Sequence, residues 1–296
     1  MQKKLCTWFH PYHAWLFLIP TLLGLLVFRL GPMIAASILS FTNWNILVKP
    51  KYVGLNNYKE LFSDPIFREV MINTFEFSLI YVIGVIVFGL LLALIVNSKV
   101  KGVTFFRAAY FTPVVTSAVA VGIVWSWLLS PHYGLVNVIL ENVFKLSPPV
   151  WLGERSIVLI VVAAVQLWKM SGYYMILFLA GLQDIPRIYY EAARIDGANK
   201  WHSFWKITLP LLSPTTFFIS TIAIIDSFKN FEIIYTMTQG GPSNATTTLV
   251  YSVFVNGFVF YRMGYASAVA YILLIVIGII TLFNFLLKKY WVNYQY

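Results

Sequence analysis

A 296-residue chain that is 59% hydrophobic and only 11% charged cannot be an ordinary water-soluble domain, which carries about a quarter charged residues. Its net charge of +10 comes from cations scattered among short polar stretches, a membrane topology pattern that excludes a nucleic-acid surface. Cys6 is the only cysteine, so no internal disulfide or cysteine-based metal site can form, and His10, His13, His132 and His202 lie outside the apolar runs without ligand spacing.

A helix needs roughly 20 apolar residues to cross the hydrocarbon. Six stretches qualify, at 14–41, 75–96, 108–129, 157–180, 211–231 and 266–287. They are continuously apolar rather than alternating, which excludes a strand-built barrel. The expectation is an all-α membrane protein with six transmembrane helices in a single domain over 1–296.

The first stretch is long and contains Arg29, Gly31 and Pro32, which predicts a tilt or kink. Its Lys3-Lys4 start and Ala35-Ala36-Ser37 have the form of a signal peptide, but the apolar pattern continues past the cleavage-like site. Asp64-Pro65 reads as an N-cap followed by proline at the first helical position. Ile66, Phe67, Val70 and Met71 then predict an apolar stripe along the membrane surface. Trp125 and Trp127, near the end of the third span, fit an interfacial aromatic belt better than a platform for stacking a solute.

Ionisable groups inside a bilayer are costly and call for a reason. In the fourth span Gln166, Lys169 and Tyr173 fall on one helical face. Toward the outer end of the fifth lie Asp226, Ser227, Lys229, Asn230 and Glu232. These two faces are candidate linings of a path for a polar solute, with structural ion pairing or snorkelling as the alternative role of the charges. Gly240-Gly241-Pro242 is a turn ahead of a β-branched and aromatic segment, 246–260, expected to be partly a short helix outside or dipping into the bilayer. Asn244-Ala245-Thr246 is formally a glycosylation sequon.

Orientation follows from lysine and arginine. With the N-terminus inside, the cytoplasmic segments hold Lys3, Lys4, Lys99, Lys101, Arg107, Arg187, Arg194, Lys200, Lys206, Lys288 and Lys289. The outer loops hold Lys49, Lys51, Lys59, Arg68, Lys145, Arg155 and Arg262. The bias puts both termini and the 181–210 loop in the cytoplasm. Pro186 can open a helix there, with Ile188, Ala192 and Ile195 on one face, and Gly197 can close it in a left-handed conformation. A second short helix carries Trp201, Phe204, Trp205 and Thr208 on one side, and Pro210 marks the entry to the fifth span. An interfacial amphipathic linker would share this composition.

The spacing is more specific. Glu191-Ala192-Ala193, three residues, Gly197, nine residues, then Ile207, Leu209 and Pro210 resembles the EAA signature of permease subunits of binding-protein-dependent ABC importers. Further pieces look like the carbohydrate, maltose-permease type of that family: Pro20 and Pro32, Ser40-Phe41 and Trp44, GLNNYKELFSDP at 54–65, Asn73-Thr74, Phe106-Arg107 with Pro113, LAGLQDIP at 179–186 and TQGGPSNATTTL at 238–249. The resemblance implies the ABC type I importer permease fold, with the loop docked in a cleft of an ATPase subunit. Glu191 would pair with a basic residue there, and Ala192, Ala193 and Gly197 would allow close approach. It implies substrate contacts at Gln166, Lys169, Met170, Tyr173, Ser227 and Asn230, although the residue types differ from the family's at several of these. It also implies a second homologous permease (a heterodimer), two cytoplasmic ATPase subunits, an extracytoplasmic sugar-binding protein and a bacterial inner-membrane location. The chain has no GxxxxGK[ST] loop, so ATP and Mg would be bound by the ATPase partners. An ion-coupled secondary transporter or channel subunit, and an ABC permease for a solute such as a glycerol phosphate, are the competing expectations. No nucleophile–base pair, paired acids or metal constellation suggests an enzyme.

Overall fold

The computed structural model describes residues 11–97 and 102–293. Cys6, His10, the N-terminus and the Lys3, Lys4, Lys99 and Lys101 counted for orientation lie outside the described residues. In chain order the helices are α1 (Pro11–Leu25), α2 (Gly31–Leu39), α3 (Asn56–Ser63), α4 (Pro65–Asn97), α5 (Val103–Val115), α6 (Ala118–Leu128), α7 (Leu135–Asn142) and α8 (Val158–Asp184). They continue as α9 (Arg187–Ile195), α10 (Lys200–Ser203), α11 (Leu209–Leu211), α12 (Ser213–Phe228), α13 (Glu232–Met237), α14 (Leu249–Phe254) and α15 (Met263–Trp291).

Among the described residues four helices are long and apolar enough to cross a membrane: Trp15–Leu39, Pro65–Asn97, Val158–Asp184 and Met263–Trp291. Two bent pairs, Val103–Val115 with Ala118–Leu128 and Lys200–Leu211 with Ser213–Phe228, complete the six spans read from the sequence when each pair counts as one. The expected kink in the first span is a π-helical turn, Leu26–Leu30, placed directly before Gly31 and Pro32.

Two expectations fail in detail. The third span is not a straight helix over 108–129. It bends by 100° after Val115, where Thr116 and Ser117 take extended backbone beyond the in-helix Pro113. The Asp64-Pro65 start is real, since the Asp64 carboxylate accepts from the Ile66 N–H at 2.8 Å. It opens no separate surface helix, because α4 runs without interruption for 33 residues and buries Phe67 and Val70. Nothing in the sequence after Pro65 breaks a helix before the far side of the span.

The chain packs as two compact units: residues 1–63 with 253–271, and residues 64–252 with 272–296. In the first, the Asn57 amide donates to the Ser40 and Thr42 carbonyls at 2.7 and 2.8 Å. Tyr58 donates to the Ser40 hydroxyl at 2.8 Å, and the Gly264 N–H donates to the Trp44 carbonyl at 3.0 Å. Arg262 pairs with Glu60.

The second unit is built around α8, against which α4, α5 and α12 pack. Gly172 lets α5 approach: a Cβ there would lie 2.0 Å from the Tyr110 carbonyl oxygen. At the end of α4 where that helix begins, the Asn73 amide donates to the carbonyls of Asn244 and Thr247 at 2.8 and 3.2 Å, and the Thr74 hydroxyl accepts the Leu249 N–H at 3.0 Å. The Gly240-Gly241-Pro242 turn is thereby tied to α4. The segment after it contains α14 followed by a π-helical turn, Val255–Val259, so a short helix does form there.

Gly172→Ala should destabilise the protein by roughly 1–3 kcal/mol through overpacking of α5 on α8. Gly278→Ala, where an added Cβ meets nothing within 4 Å, should be close to neutral. Thermal unfolding of the two variants in one detergent compares them directly.

Candidate functional site

The 185–210 loop leaves α8 at Ile185, which the following Pro186 holds in extended backbone. Pro186 itself stands just before α9 rather than inside it. The loop's first helix ends as the glycine spacing suggested. Gly197 has φ +80°. The Ala198 N–H reaches the Ala193 carbonyl at 2.8 Å and the Gly197 N–H reaches the Arg194 carbonyl at 3.2 Å, the paired bonds of a Schellman C-cap. Two residues later the Asn199 side chain accepts from the His202 N–H at 2.8 Å and caps α10. A π-helical turn, Phe204–Thr208, then leads through α11 to α12, with a 62° bend. The Tyr190 and Thr208 hydroxyls bond at 2.9 Å and tie the two arms together.

The loop is thus internally braced while its outer surface stays open. Glu191, Ala192 and Gly197 are exposed, Ala193, Ile207, Leu209 and Pro210 are half-buried, and Ile195 is 86% exposed. Ala193, Gly197 and Ile207 border a shallow dent of about 410 Å³.

The residues of the two polar span faces meet around α4, α8 and α12. Ser227 bonds Ser78 of α4 at 2.6 Å, and Tyr174 donates to Asp226 at 3.4 Å. Tyr173 packs edge-on against Tyr174, which packs edge-on against Tyr81. Gln166, Met170, Tyr173 and Asp226 are half-buried, and Asn230 is 6% exposed. The Gln166 Oε1, the Asn230 Nδ2 and the Tyr81 hydroxyl are enclosed without hydrogen-bond partners. Lys169 departs from its face: only 7% exposed, its ammonium donates to the Val114 carbonyl at 3.1 Å. There, together with the Thr116 hydroxyl on the Pro113 carbonyl at 2.6 Å, it serves the C-terminal carbonyls of α5 that have no intrahelical partner. No ion pair joins any two of Lys169, Asp226, Lys229 and Glu232, and Lys229 and Glu232 are exposed. Trp125 packs edge-on against Trp168, while Trp127 is exposed.

The sequence reading passed over Ser78, Tyr81 and Tyr174. A signal was present for two of them, because Thr74, Ser78 and Tyr81 form a polar stripe at helical spacing along the second span. Among the described residues no group of three or more histidine, cysteine or acidic side chains comes together as a metal site.

Six apolar spans, with a braced polar loop between the fourth and fifth and buried polar groups shared by α4, α8 and α12, define a solute permease. The chain belongs to the family of binding-protein-dependent transport system inner membrane components, whose family model matches residues 85–290. It is therefore a multi-pass inner-membrane component of such a transport system. It is 38% identical to the multiple sugar-binding transport system permease protein MsmF of Streptococcus mutans, over 95% of this chain and 96% of the relative. It is also 38% identical to the arabinooligosaccharides transport system permease protein AraP of Bacillus subtilis, over 93% of this chain and 87% of the relative. Its fold matches a chain of a bacterial alginate ABC transporter, solved in complex with an alginate pentasaccharide-bound periplasmic protein. That match has a TM-score of 0.83 at 24% identity and covers 94% of both chains.

Lys169→Met should leave the part-buried Val114 carbonyl without its side-chain donor, at a cost of about 1–3 kcal/mol. Unfolding temperature should fall, and uptake should fall equally for neutral and acidic solutes. Selective loss of acidic-solute uptake would instead identify Lys169 as a ligand for substrate charge.

Proposed function

We propose that this chain is the transmembrane subunit of an ATP-driven importer that carries a sugar or oligosaccharide across the bacterial inner membrane by alternating access. Both termini and the 185–210 loop face the cytoplasm. A second homologous permease completes the membrane domain, two cytoplasmic ATPase subunits bind ATP and Mg, and an extracytoplasmic binding protein delivers the sugar. The sugar-transporting relatives and the fold shared with an alginate importer support the substrate class.

One observation carries the coupling assignment. Glu191 is an exposed carboxylate that makes no bond within the chain among the described residues, and it stands beside Ala192 and Gly197 on a loop whose own backbone is already satisfied. Such a surface is internally braced and offers the Glu191 carboxylate to a partner's cation. The same loop joins the ends of α8 and α12 directly. A push on it moves α8, which bears Gln166, Met170 and Tyr173, and α12, which bears Asp226 and Ser227 and leads into Asn230, without first deforming the loop, which is rigid-body rocking driven from outside the bilayer. In this reading those side chains line the path and exchange hydrogen bonds with sugar hydroxyls, while Lys169 holds the broken span.

Glu191→Lys combined with Gly197→Val should reduce uptake at least about tenfold and abolish stimulation of ATP hydrolysis by the sugar-loaded binding protein in the assembled complex. Wild-type uptake by that variant would remove the coupling role. Uptake by the purified chain alone in vesicles with an ion gradient would make it a secondary transporter.

A further inference from the structure

We propose that the second arm of the loop, residues 200–208, is a membrane anchor that seats Trp201 and Trp205 in the headgroup layer of anionic phospholipid. The loop then turns against the lipid surface as well as against a protein partner.

The placement of the side chains carries this inference. The arm separates two dents of the loop. His202 and Lys206 border one, with Ala193 and Gly197. Lys200, Ser203 and Phe204 border the other, with Tyr190 and with Leu94 at the end of α4. Trp201 and Trp205 border neither. They lie one turn apart on the flank between the dents, edge to face with ring centroids 5.7 Å apart, and are 70% and 51% exposed. Two large apolar rings left open on a polar loop need a cover, and the chain's geometry supplies one. Trp205 is only eight residues before Ser213, where the apolar α12 begins, a distance of about 12 Å along a helix. The arm and α12 meet at a 62° bend, so the arm does not continue the axis of α12.

The arm's own lysines, Lys200 and Lys206, are positive, while Asp196 borders the dent that Lys206 borders. Lys200 and Lys206 lie on opposite sides of the tryptophan pair, and Arg194 lines the same dent as Lys200. Tryptophan is enriched at the level of lipid headgroups because its ring is apolar and its N–H is polar. Flanking lysines extend their ammonium groups to phosphates while the stems cover apolar surface. A protein cleft would meet the first helix of the loop, where Glu191 and Ala192 are open, while the lipid contact uses the second arm.

The test uses the full transporter complex in vesicles, with Cys6→Ser to remove the only cysteine and a nitroxide attached at Trp201→Cys. Collisions of the nitroxide with oxygen, which partitions into lipid, and with a water-soluble nickel chelate are measured in phosphatidylcholine alone and with phosphatidylglycerol added. The expected result is oxygen contact exceeding nickel contact, by a wider margin when phosphatidylglycerol is present. Lys200→Gln with Lys206→Gln should remove that widening. Nickel contact exceeding oxygen contact would put the arm in water and overturn the proposal. Protection from both reagents would show a protein cover and overturn it equally. A label at Trp205→Cys repeats the measurement should the first variant fail to assemble. The outcome is independent of the Glu191 experiment, because a lipid anchor requires no ATPase contact at Glu191.

Discussion

A helix that breaks inside a bilayer exposes carbonyls where no water can reach them, and those carbonyls must find partners within the protein. The third span of this permease breaks by 100° between α5 and α6. The end of α5 is served by the Lys169 ammonium and the Thr116 hydroxyl. Gly172, one turn along α8 from Lys169, removes the side chain that would keep α5 at a distance. The helix that carries most of the candidate path residues is therefore also the helix that makes the break possible. The packing of α8 and the polarity of the path are two uses of one surface, and they divide its residues between them.

That division explains which parts of the protein could be read from the amino-acid sequence. The spans were legible because long apolar runs have few alternatives. The end of α9 was legible because a glycine at that point in the pattern has one economical conformation, which Gly197 adopts. The bend at Thr116 and Ser117 was not legible, because Pro113 in an apolar run is equally compatible with a mild kink. The continuity of α4 was missed for the opposite reason: Asp64-Pro65 signals a start, and no residue signals that the same helix will enter the membrane. Lys169 fell on the expected helical face by spacing, yet its long side chain reached a carbonyl on a different helix. Periodicity gives the direction of a Cβ and not the destination of an ammonium four carbons away.

The sequence elements that carry the resemblance beyond the loop also have a physical account. Ser40 and the 54–65 segment meet through Asn57 and Tyr58, and Trp44 accepts from Gly264. Asn73 and Thr74 hold the 238–249 turn. These residues are amides and hydroxyls that satisfy backbone groups of distant loops, so they keep the non-spanning parts of the protein in shape. They contribute to architecture.

Asn73 and Thr74 find their partners 171 to 175 residues further along the chain. During synthesis the second span enters the membrane long before the 238–249 turn exists, with an amide and a hydroxyl that await distant carbonyls and an N–H. Closure of this unit thus belongs to the last part of biogenesis, after the fifth span has emerged. A chain truncated before residue 244 would retain its second span and still lack the groups that Asn73 and Thr74 bind.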